Sequence, residues 1–95
     1  MIETGYFDEE TISATLEQAN RFYTGSRGVK RDLRKALRLY EKLSDQGNSD
    51  GKVMAGLMYF RGEGTYRDIS KAKRFFEQTQ RDDVSEFMLL AMDYF

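Results

Sequence analysis

The chain has 95 residues, 40% of them hydrophobic and 33% charged, with a formal net charge of −1. That is the size of one small domain with a modest core, and its near-neutral charge disfavours nucleic acid as a partner. Cysteine and histidine are both absent, which excludes a disulfide framework, a thiolate metal site and histidine acid–base chemistry.

The first ten residues hold Glu3, Asp8, Glu9 and Glu10 without a Lys or Arg, unlike the basic start of a secretory leader. A native start at Met1 implies the cytoplasm, whereas removal of a leader would imply the periplasm or secretion. No apolar run is long enough to span a bilayer. Proline is also absent, and apolar residues recur at helical spacing, so the chain reads as five helices.

The first is predicted from about Glu9 to Thr24. Asp8 is placed to cap it, with Phe7 and Ile12 as a hydrophobic staple, and Ile12, Leu16, Ala19 and Tyr23 share a face beside Phe22. Gly25 and Gly28 break the helix. Asp32 caps the second helix, whose stripe is Leu33, Ala36, Leu37, Tyr40 and Leu43, and Gly47 ends it. The third runs from about Ser49 to Arg61, carrying Val53, Ala55, Leu57, Met58, Tyr59 and Phe60. After Gly62 and Gly64, Asp68 caps a fourth helix with Ile69, Ala72, Phe75 and Phe76 inward. Asp83 and Glu86 form a capping box for a fifth, Val84 to Phe95.

These elements repeat every 36 residues. Ala19, Tyr23, Gly28, Asp32, Ala36 and Glu41 return as Ala55, Tyr59, Gly64, Asp68, Ala72 and Glu77, while Arg31, Lys35 and Arg38 return as Arg67, Lys71 and Arg74. A third copy opens with Ser85 and Ala91 and reaches Phe95. Such a period marks a stacked repeat array, an architecture that presents extended surfaces to partners. The expected fold is an all-α, right-handed solenoid of helix–loop–helix units. Its single domain divides into an N-terminal cap (1–12), two repeats (13–48 and 49–83) and the first helix of a third (84–95).

The pattern resembles the Sel-one-like repeats, relatives of the tetratricopeptide repeats, which read L-G-x-x-Y-x-x-G-x-G-V-x-x-D-x-x-x-A. The second copy supplies Ala55, Gly56, Tyr59, Gly62, Gly64, Asp68 and Ala72. The first keeps Tyr23, Gly28, Val29, Asp32 and Ala36, but has Asn20 and Ser26 where the pattern has glycine. Both copies have Ala (Ala19 and Ala55) in place of the leading Leu. The resemblance implies a module that binds another protein, as an adaptor, inhibitor or assembly factor; the residues themselves call for no cofactor. Carrying over the tetratricopeptide geometry, the concave groove is expected to hold Glu17, Arg21, Thr24 and Gly25, then Val53, Leu57, Phe60 and Arg61, then Leu89 and Asp93.

Two further surfaces stand out. The last helix, with Phe87, Met88, Leu89, Leu90, Met92, Tyr94 and Phe95, carries more apolar residues than one packed face can hide. It suits a continuing array, self-association or a partner that supplies the missing helix. On the second helix Lys30, Arg34, Arg38 and Lys42 are expected to recur every four residues, with Arg31 and Lys35 beside them. This basic stripe is either a solvated face or a site for nucleic acid, another polyanion or an acidic protein; the acidic N-terminus of the chain itself is one candidate.

Other chemistry finds little support. Asp82, Asp83 and Glu86, or Asp8, Glu9 and Glu10, lack the spacing of a calcium loop and suit helix starts instead. Gly62, Glu63 and Gly64 lack the strand, Lys and further Gly of a phosphate cradle. No nucleophile is matched to a base, so no enzyme is expected.

Overall fold

The computed structural model describes residues 9–79. Among them are the helices α1 (Glu9–Thr24), α2 (Leu33–Asp45), α3 (Ser49–Arg61) and α4 (Ile69–Gln78), each packed on the next in the chain. The fifth helix, the Asp8 cap and the Asp83–Glu86 capping box lie outside the described residues.

Close helix approach depends on alanine. Ala19, Ala36, Ala55 and Ala72, one per helix, are each 0% exposed. Around them Tyr40, Leu43, Met58 and Phe76 are the largest fully buried side chains. Burying each such side chain contributes about 1.5–3 kcal/mol, so a short chain gets most of its stability from a few contacts.

The cap positions explain where the helices begin. The side chain of Asp32 accepts from the amide of Lys35 at 3.1 Å, and that of Asp68 from the amide of Lys71 at 2.9 Å. Each satisfies an amide that has no partner inside its helix. Asn48 caps α3 in the same way, accepting from Gly51 at 2.8 Å. Gly51 then lies so close to α2 that a β-carbon there would stand 2.6 Å from Cβ of Leu43.

Helix ends follow the left-handed pattern. Gly47 has φ of 84°; its amide donates to Ser44 and the amide of Asn48 donates to Leu43, both at 2.9 Å. These are the paired bonds of a Schellman terminus. The two interhelix loops differ by one residue. In the second repeat the left-handed terminator is Gly62; in the first it is Gly25 rather than position 26, one step earlier in the period. Ser26 therefore does not stand in for a missing glycine. Its neighbour has taken that role, and the loop gains a residue before Asp32.

One sequence expectation is corrected here. Lys30 and Arg31 precede the cap residue Asp32, so they lie in the loop and not on α2. Only Arg34, Lys35, Arg38 and Lys42 form the helical part of the basic stripe.

Candidate interaction surfaces

Each expected groove residue on α1 and α3 has a defined environment. Glu17 and Arg21, one turn apart on α1, pair at 3.0 Å. Arg21 Nε is buried without a hydrogen-bond partner. Val53, Leu57 and Phe60 on α3 are half-buried and packed against the core. Their inner edges contribute to folding, while their outer edges remain accessible. Thr24 and Gly25 are exposed at the end of α1. Leu89 and Asp93 lie outside the described residues.

Arg61 is drawn to the seam between the repeats. Its guanidinium lies 3.9 Å from Glu63 and donates to the Tyr23 hydroxyl at 3.4 Å. That hydroxyl in turn donates to Glu63 at 2.8 Å. The first repeat is thus tied to the loop of the second through a Tyr–Glu–Arg group. A second tie runs from α3 to α2, where the Tyr59 hydroxyl donates to Glu41 at 2.5 Å. Neither tie was legible in the sequence, because the partners are 40 and 18 residues apart. The return of Glu41 as Glu77 was the one available hint.

Burial makes these phenols reluctant to ionise. It is the largest effect on the Tyr23 hydroxyl, followed by the Glu63 carboxylate, and both push its pKa up. Tyr59 is pushed up to about 12 by burial and then by Glu41. Tyr40 is pushed up to about 12 by burial, with a smaller contribution from Tyr23. All three therefore remain hydrogen-bond donors through the neutral range.

On the other flank of α2, Arg34, Lys35, Arg38 and Lys42 are exposed. Among the described residues, none of the four has a carboxylate within ion-pair distance. Of the acids nearest in sequence, Asp32 is occupied with the Lys35 amide and Glu41 with Tyr59, while Asp45 is exposed at the end of α2. Of the loop bases, Arg31 donates to the Tyr23 carbonyl at 3.1 Å, and Lys30 is exposed. Among the described residues no group of acids has the geometry to hold a metal ion, and no helix is long and apolar enough to cross a membrane.

The profile of the Sel1 repeat matches residues 19–48 and again 49–79. The chain belongs to the Sel1 repeat family. Three solved structures share the fold of this Sel1 chain. One is c5321, a protective antigen of uropathogenic Escherichia coli with an SLR fold: TM-score 0.78, 22% identity, covering 82% of this chain and 17% of that one. Another is a Sel1 repeat protein of Oxalobacter formigenes: TM-score 0.78, 19% identity, 87% and 36% covered. The third is cysteine-rich protein B of Helicobacter pylori: TM-score 0.76, 24% identity, 84% and 61% covered. The Sel1 chain described here thus spans less than two thirds of the length of any of the three. No curated protein matches it.

Family membership gives the matched positions their meaning. The alanines, tyrosines, loop glycines and capping aspartates maintain helix pairs. Sel1 repeats as a class mediate protein–protein interaction.

Proposed function

We propose that this Sel1 domain is a protein-binding module, acting as an adaptor, inhibitor or assembly factor, and that its partner lies along α1 and α3. The observation that supports this most is the row Val53, Leu57 and Phe60. These side chains pack against the core yet retain exposed apolar edges. Glu17 and Arg21 offer charge on α1 and Arg61 does so at the end of α3. An apolar strip with a charged rim is the usual anatomy of a protein-binding patch.

Leu57→Glu tests the reading. The tagged chain and the variant are passed through extract of the native cell, and bound proteins are identified by mass spectrometry. The variant is expected to lose a stoichiometric protein partner while circular dichroism reports unchanged helix. Retention of the partner by a folded variant would overturn the role of α3. Should the variant melt, Arg61→Glu at the exposed end of the strip serves in its place.

A further inference from the structure

A cleft of about 240 Å³ lies between α1 and α2, lined by Gln18, Phe22, Lys35, Arg38 and Leu39. Its floor is apolar, because Phe22 and Leu39 are half-buried against the core. Its rim is cationic: the Lys35 ammonium sits 5.4 Å from the Phe22 ring centre, and Arg38 is exposed with no acid paired to it among the described residues.

The second repeat provides an internal comparison. Lys71, one period after Lys35, sits 4.9 Å from the centre of the Tyr59 ring, so Tyr59 there plays the part of Phe22. Phe75 occupies the position of Leu39 and stacks on Tyr59 with ring centres 5.7 Å apart and planes 13° from parallel. The lysine–aromatic arrangement of the second repeat thus includes an aromatic ring from within the chain. In the first repeat Leu39 has no ring to offer, and the space beside Phe22 is open.

We propose that this α1–α2 cleft is a second docking site, for an acidic protein segment that inserts one aromatic side chain beside Phe22. The inserted ring would take the place that Phe75 takes in the second repeat. Carboxylates on either side of it would meet Arg34, Lys35, Arg38 and Lys42. Among the described residues, these four bases stand against one free acid of α2, Asp45 at its far end, since Asp32 and Glu41 are directed to other partners. The site does not depend on the α1–α3 reading, and Leu57→Glu leaves its residues untouched.

The test uses fluorescence anisotropy with three labelled probes: the peptide Asp-Glu-Phe-Asp-Glu, the same peptide with Ala for Phe, and a single-stranded oligonucleotide of equal charge. The Phe peptide is expected to bind about fivefold or more tighter than the Ala peptide, the scale of one aromatic pair. Leu39→Phe, which fills the cleft as Phe75 does in the second repeat, should abolish that difference with helical content unchanged. Arg38→Glu should weaken both peptides. Equal binding of the two peptides would overturn the proposal, as would binding of the oligonucleotide as tight as that of the Phe peptide, because either result describes a plain cationic surface. Failure of the Phe peptide to bind at roughly millimolar concentration would overturn it too.

Discussion

Ala19 and Gly56 occupy one structural position of the repeat, because Gly25 and Gly62 set the register of α1 against α3, and Tyr40 and Phe76 occupy another. In the second repeat the Phe76 ring lies where a β-carbon on Gly56 would stand 2.8 Å from its Cε1. In the first repeat Ala19 stands at that position, and the Tyr40 hydroxyl donates to the side chain of Asn20, the next residue along α1. Gly56→Ala is therefore expected to cost about 1–3 kcal/mol through overpacking, measured by urea unfolding. Tyr40→Phe should cost about 1 kcal/mol for the lost hydrogen bond, a small value because Asn20 is exposed and water can take the phenol's place. The buried phenols also set a pH dependence. Tyr40 and Tyr59 have folded pKa values pushed up to about 12, above the unfolded value of about 10. Their contribution is complete below pH of about 10 and is lost as pH rises toward about 12. Urea midpoints should thus fall across that alkaline interval, and Tyr40→Phe with Tyr59→Phe should flatten the fall.

At the scale of elements, helix limits were legible because caps and breakers are local chemistry. The end of α1 at Thr24, the limits Ser49–Arg61 and the caps Asp32 and Asp68 follow from residues within one turn of each end. The α3 cap at Asn48 was not legible beside Gly47, since the end of α2 and the start of α3 share one short turn; its signal is the Asn directly ahead of the helix. The break at Gly25 was legible, but the family pattern puts its loop glycine at Ser26, one position too late. Gly25 and Ser26 are adjacent, and the repeat period alone favours position 26. Asp68→Ala is expected to cost about 1 kcal/mol and to speed hydrogen exchange of the Lys71 amide it holds. Gly64→Ala should cost more than a cap. Gly64 has φ of 75°, and a β-carbon there would stand 2.6 Å from the Leu33 carbonyl oxygen, so backbone strain and a clash between repeats add together. Thermal unfolding of the two variants side by side gives the ranking.

Over the whole molecule, the repeat period identified the architecture, since a unit whose capping aspartates and second-helix residues return in register specifies stacked helix pairs. On the first helices the extra loop residue shifts the match, so that Phe22 rather than Tyr23 corresponds to Tyr59, and Ala19 to Gly56. The surfaces were less legible. Val53, Leu57 and Phe60 share a helix with fully buried Ala55, Met58 and Tyr59, and the sequence cannot divide such an apolar helix into core and contact edges. The open cleft beside Phe22 depends on the difference between Leu39 and Phe75, which acquires meaning only once both are seen against their rings. The central claim, that a protein partner lies along α1 and α3, is tested most directly by photocrosslinking. A benzophenone amino acid is placed in turn at exposed Glu17, at Arg61 and, for comparison, at exposed Arg74 on α4, and adducts formed in the native cell are identified. Adducts to one discrete protein from positions 17 and 61, absent from position 74, are the expected result. Adducts from position 74 alone would contradict the claim and move the binding surface to α4.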